Sequence, residues 1–229
     1  MSRRLEGRRV LITDIDRYMG RPIAELFSAE GAVVIENGDD LRQPGAAERV
    51  VAEAGPLDVL VANLAEADEK MELLENIRDE DWHGFFDRLV HPLMRLVRAA
   101  VPPMCAQGHG KVVAITSAAP LRGVPKASAY CAARGAQNAF IRAVGLEVAR
   151  HNVQVNAIAQ NYVENVTYYP PEMIADAAMM ERILKVVPAK RLGKGRETAE
   201  LALFLASENS DFIVGQVIPF SGGWATTTG

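Results

Sequence analysis

Short β-branched runs alternate with long helical segments along this 229-residue chain, and that alternation restricts the fold more than any other feature. The runs lie near residues 9–13, 32–36, 57–62, 111–116, 153–158 and 215–220, with helical stretches between them. Strands separated by helices close into parallel units, so the pattern predicts an α/β fold. It is a doubly wound parallel sheet covered on both faces, forming a single domain over residues 1–229. Val33-Val34-Ile35 and Val112-Val113-Ala114-Ile115 carry no polar alternation, which predicts strands buried on both faces in the sheet interior.

Composition removes several classes of function. Charged residues make up 24% of the chain and the formal net charge is -4, which lacks the basic footprint of a nucleic-acid binder. The apolar run Val10 to Ile12 is too short for a secretory segment, and no stretch is long enough to span a membrane, so a cytoplasmic protein is expected. Cys105 and Cys131 form no C-x-x-C and have no histidine at ligand spacing, so neither a disulfide framework nor a metal site is expected. The acidic run Glu66 to Glu75 reads as a solvated loop and helix start.

Two long helices are expected, near 79–106 and 127–150. The first is apolar on more than one face, through Trp82, Phe85, Phe86, Leu89, Val90, Leu93, Leu96 and Val97. The second carries Ala129, Ala132, Ala133, Ala136 and Ala139, which allow another element to approach closely. The pair suggests a helical oligomer interface, with a broad contact inside one chain as the alternative. Gln160 to Pro171 reads as an irregular loop at the carboxyl end of a strand, where open α/β sheets bind ligands, followed by a helix to about Val187.

Tyr130 and Arg134 are four residues apart on the second helix and project from one face. A fixed cation favours the phenolate and lowers the high reference pKa of tyrosine, which lets the phenol act as a base near neutral pH. Ser117 precedes Tyr130 by thirteen residues, at the end of a buried strand.

With those residues in place, the chain resembles the short-chain dehydrogenase/reductase superfamily over nearly its full length. The resemblance runs through Asp58-Val59-Leu60-Val61-Ala62-Asn63, Val113-Ala114-Ile115-Thr116-Ser117, Arg191-Leu192-Gly193, Phe204-Leu205-Ala206-Ser207, Gly215-Gln216-Val217 and Gly222-Gly223. It implies that Ser117 and Tyr130 bind and protonate a substrate oxygen. The departures are also specific. The usual Tyr-x-x-x-Lys, whose lysine holds the cofactor ribose, is Tyr130-x-x-x-Arg134. The three-glycine turn after the first strand is reduced to Gly20, with Asp14 and Tyr18 in the first two glycine positions and Asp16 between them. Those glycines let backbone approach a pyrophosphate, so the turn speaks against a nicotinamide cofactor. Asn-Asn-Ala-Gly becomes Ala62-Asn63-Leu64-Ala65, Pro-Gly becomes Gln160-Asn161, and a helix asparagine aligns with Leu89. Glu36, at the end of the second strand, is the one feature in favour of a ribose.

This set of departures resembles the halohydrin dehalogenases, a branch of the superfamily with a Ser-Tyr-Arg triad and no nicotinamide. Their amino-terminal signature matches Thr13, Tyr18 and Gly20. The resemblance implies a cofactor-independent conversion of vicinal haloalcohols to epoxides with halide release, and ring opening by halide or other small anions in reverse. Ser117, Tyr130 and Arg134 would be catalytic. Tyr18 and the loop Gln160-Asn161-Tyr162-Val163 would hold halide and substrate, with backbone amides forming an anion nest. A homotetramer built on the two long helices is also implied. Trp224 could help to close a pocket, though packing is its simpler role. The competing readings are a divergent NAD(P)-dependent oxidoreductase and an inactive scaffold of the superfamily.

Overall fold

A computed structural model describes residues 3–65 and 71–226. Six parallel strands form one sheet in the order β2-β1-β3-β4-β5-β6, with β1 Arg9–Ile12, β2 Val33–Glu36, β3 Val59–Asn63, β4 Gly110–Ser117, β5 Val153–Gln160 and β6 Val217–Phe220. Helices α1 Gly20–Ala29, α2 Ala46–Ala54, α3 Asp79–Phe85, α4 His91–Gln107, α5 Ala119–Arg122, α6 Ser128–Val148, α7 Pro171–Ala175, α8 Ala177–Val186 and α9 Gly195–Ala206 complete the described residues. The strand order reverses between β1 and β3, which opens a crevice above the carboxyl ends of the strands, and the expected α/β architecture holds.

Strand residues sort between two cores by the two-residue period of the pleat. Leu60, Val112, Ala114, Val155 and Ala157 face α4 and α6, whereas Val10, Ile12, Val59, Val61, Val113 and Ile158 face α1 and α9. All eight residues of β4 and of β5 are buried, which fixes the level at which Ser117 and Gln160 emerge.

One expectation fails. Strand β2 lies at the sheet edge, and Val33 is 48% exposed. A three-residue apolar run cannot distinguish an interior strand from an edge strand, because the rank of a strand depends on which neighbours pair with it. The first long helix also departs from regular geometry, with a π-helical turn over Phe86–Val90 between α3 and α4. That turn presents the Leu89 carbonyl to Gln137 Nε2 at 2.7 Å. The second long helix ends at Val148, with one 3-10 turn after it.

Residues 66–70 of the acidic run lie outside the described residues; its remainder includes a short 3-10 turn at Leu74–Asn76. Cys105 and Cys131 are free thiols, and both are only partly buried. Among the described residues, no helix is long and apolar enough to cross a membrane, and no cluster of three or more His, Cys, Asp or Glu is placed to hold a metal ion.

Candidate active site

Ser117 ends β4, and Tyr130 and Arg134 lie one turn apart near the start of α6. Arg134 is fully buried. Four of its N–H donors are engaged: Nε donates to Tyr130 Oη at 3.1 Å, one terminal nitrogen to the Leu64 carbonyl at 3.2 Å and Gln137 Oε1 at 2.9 Å, and the other to Tyr168 Oη at 2.9 Å. Burial works against the charge, but attraction to Tyr130, Tyr168 and Tyr18 outweighs it, and Arg134 is held above the ordinary arginine range. The guanidinium carbon also lies 5.3 Å from the Tyr130 ring centroid and 5.8 Å from that of Tyr18.

Ser117 Oγ accepts from the Ala119 amide at 3.1 Å, which leaves its hydroxyl proton to be aimed elsewhere. Asn138 Nδ2 holds the Ser117 carbonyl at 3.2 Å, so serine and tyrosine are both referenced to α6.

The turn after β1 is a side-chain construction. Asp14 and Tyr18 adopt left-handed φ values of 49° and 51°, a conformation that glycine would adopt with less strain. Asn63 braces the turn from β3: its Nδ2 donates to the carbonyls of Thr13, Asp14 and Arg17, and its Oδ1 accepts from Met19 N. The Tyr18 amide donates to Thr167 Oγ1 at 2.9 Å and its hydroxyl to the Thr116 carbonyl at 3.0 Å. Gly20 cannot carry a side chain, since a Cβ there would stand 2.3 Å from the Ile15 carbonyl oxygen.

These residues do not fit a dinucleotide. The Tyr18 amide is tied to Thr167, the part-buried Asp14 carboxyl lies beside the turn, and Arg134 directs its donors at protein oxygens. The Tyr18 ring packs edge-on against Tyr168, with centroids 5.1 Å apart. Glu36 is an exposed partner of Arg21 at 2.8 Å, and Asp16 also pairs with Arg21.

Ser117, Tyr130, Tyr18, Gln160, Asn161, Tyr162 and Val163 all line one cavity of about 520 Å³; Arg134 lies behind its wall. Among the described residues no charged side chain lines it, and Met71, Val124, Met173, Met179 and Ile183 supply an apolar side. In the loop after β5, the Asn161 amide donates to the Phe220 carbonyl and the Tyr162 amide to Asn161 Oδ1. The Val163 amide makes no hydrogen bond among the described residues. The expected nest therefore reduces to one available backbone donor in that segment. Gln160 Oε1 accepts from Thr198 at 3.0 Å, and its Nε2 is buried without a partner among the described residues. Tyr162, held at φ 58°, packs against Tyr169 and against Trp224, whose ring meets it edge-on at 5.5 Å. Burial raises the Tyr162 phenol above its ordinary value.

Tyr168, Gln137 and Thr116 are parts of the site that motif spacing does not reveal. Gln137 has a local signal, three residues beyond Arg134 on the same helical face. Tyr168 has none, because its position depends on a turn in which Asn165 Oδ1 accepts from the Thr167 and Tyr168 amides.

Comparison with known proteins agrees with this architecture. A family model described as enoyl-(acyl carrier protein) reductase matches residues 3–225. The 3-oxoacyl-[acyl-carrier-protein] reductase of Thermotoga maritima is 30% identical over 249 aligned positions, covering 96% of this chain and 98% of that protein. The Escherichia coli protein of the same name is 29% identical, with coverage of 95% and 97%. A solved structure described as a dehalogenation enzyme matches with a TM-score of 0.91 and 31% identity, covering 97% of this chain and 100% of that one. A halohydrin dehalogenase bound to ethyl (2S)-oxiran-2-ylacetate matches with a TM-score of 0.86 and 25% identity, covering 96% and 98%. With the family model spanning nearly the whole chain and the sheet order and Ser117-Tyr130 pair in agreement, the protein belongs to the short-chain dehydrogenase/reductase superfamily.

Proposed function

We propose that this protein converts vicinal haloalcohols to epoxides without a redox cofactor, and opens epoxides with halide or another small anion in the reverse direction. The observation that carries the reading is the 3.1 Å hydrogen bond from Arg134 to Tyr130 beside Ser117, with the other assigned donors of Arg134 committed to protein oxygens. Such a site moves protons and does not accommodate a hydride carrier.

Ser117, with its oxygen accepting from Ala119, donates its proton to the substrate hydroxyl oxygen. Tyr130, ionised beside Arg134, removes the proton from that hydroxyl. The alkoxide attacks the neighbouring carbon from the side opposite the halogen; a C–O bond forms, the C–X pair departs with the halide, and the Tyr130 proton returns to solvent. Nucleophile and leaving group share one molecule, so the protein acts mainly by fixing the reactive conformer and handling the proton. The halide is received at the Val163 amide and the edge of Tyr18. The described lining is uncharged, which favours neutral substrates, and its apolar side favours a hydrocarbon substituent. Assembly as a homotetramer through α4 and α6 belongs to the same proposal.

The reductase names of the sequence relatives favour a second reading, an NAD(P)-dependent oxidoreductase. A halide-release assay without added cofactor separates the two. Release from a small panel of vicinal haloalcohols, with no NADH or NADPH binding in the micromolar range, is expected; micromolar cofactor binding and no release would reverse the assignment.

A further inference from the structure

Arg134 serves two phenols. Its Nε donates to Tyr130 at 3.1 Å and a terminal nitrogen to Tyr168 at 2.9 Å, and both tyrosines line the same cavity. Tyr168 is presented by a turn that is fixed at both ends of its approach: Asn165 receives the Tyr168 amide at 2.7 Å, and Thr167 receives the Tyr18 amide at 2.9 Å. Its ring meets Tyr18 edge-on at 5.1 Å. Among the described residues, the other groups against the cluster are the Leu64 carbonyl after β3, the Gln137 amide on α6, and Phe85 on α3 with the Arg88 guanidinium 5.9 Å from its ring; the Asp14 carboxyl, bonded to Ala65, is the nearby acid of the first turn.

One buried guanidinium can balance one phenolate. If both phenols lost their protons around Arg134, the second negative charge would face the first across a single guanidinium, and two sites so coupled release their protons in separate steps. We propose that Tyr168 is a positioning residue that shares the charge of Arg134 with Tyr130, so that the two phenols hold one negative charge between them and Tyr168 sets the pH range in which Tyr130 is ionised. The inference rests on the proposed role of Tyr130 as base. It assigns the oxygen of Tyr168 as the competitor for that ionisation. Removing this oxygen leaves Tyr130 as the phenol hydrogen-bonded to the guanidinium, which is still held by Leu64 and Gln137, while the Tyr18 hydroxyl still donates to the Thr116 carbonyl.

The test is a spectrophotometric titration of phenol ionisation in wild type, Tyr130→Phe, Tyr168→Phe and the double variant, with thermal melting to confirm that each is folded. The chain has five tyrosines, so one phenol is countable. One phenol is expected to ionise well below the ordinary tyrosine value in wild type, to persist at Tyr168 in Tyr130→Phe, and to vanish in the double variant. In Tyr168→Phe it should move to lower pH by about half a unit or more, and the pH limb of halide release should move with it. Loss of the low-pH phenol in Tyr130→Phe overturns the proposal, and so does a Tyr168→Phe titration that superimposes on wild type. Failure of the dehalogenase reading would show separately, as no halide release by wild type, and leaves the titration interpretable.

Discussion

The Tyr18 hydroxyl donates to the Thr116 carbonyl at 3.0 Å, which ties the turn after β1 to the strand that ends in Ser117. The bond places an aromatic ring across the crevice at the switch between β1 and β3, with Arg134 5.8 Å from its centroid. One side chain thereby fills space above the sheet and forms a wall of the cavity.

Replacing Tyr18 with Gly should destabilise the protein by about 3 kcal/mol, the loss of a buried aromatic offset in part by relief of its left-handed backbone. Urea unfolding measures the difference. Halide release should fall about tenfold or more as the wall opens. NADPH should still fail to bind, because Asn63 and Arg134 continue to direct their donors inward.

Arg134→Lys should cost about 3 kcal/mol or more, since an ammonium cannot reproduce four hydrogen bonds from a planar fork in a fully buried position. With a more poorly placed cation, the Tyr130 phenolate is less favoured and its pKa rises. The ascending limb of the ring-closure profile should therefore move to higher pH. A pH profile of halide release that does not move would remove Arg134 from its assigned role.

Asn63→Ala removes the brace of the first turn and leaves the carbonyls of Thr13, Asp14 and Arg17 without that donor. A loss of about 2 kcal/mol or more is expected in chemical denaturation. Activity should fall as well, although Asn63 does not line the cavity, because Tyr18 depends on the turn for its position.

Asp14 gives a prediction with a defined sign. Burial raises its carboxyl above the ordinary value, so the folded protein binds more protons than the unfolded chain between those two values, and stability falls as pH rises through that interval. Asparagine tolerates the left-handed backbone of this position and carries no charge. Asp14→Asn should accordingly be more stable than wild type at neutral pH, with the difference vanishing as pH falls below the ordinary aspartate value. Unfolding free energies at several pH values measure it; a difference independent of pH would contradict the burial of a charged Asp14.

The six strands, the long helices and the Ser117, Tyr130 and Arg134 set were legible in the sequence because each depends on local order: apolar runs, helical spacing, and a hydroxyl at a strand end. Val33 shows the limit. Its run has the composition of an interior strand, yet only pairing partners decide that β2 is an edge.

The sequence by itself determined that the chain is a doubly wound α/β protein whose phenol and guanidinium share a helical face, since a four-residue spacing fixes that relation wherever the helix lies. The tertiary structure alone decided where the remaining donors of Arg134 go. Leu64, Gln137 and Tyr168 reach it from a strand end, its own helix and a distant turn. A buried guanidinium must satisfy its N–H groups, and which oxygens do so is a matter of distances through space that no spacing along the chain contains.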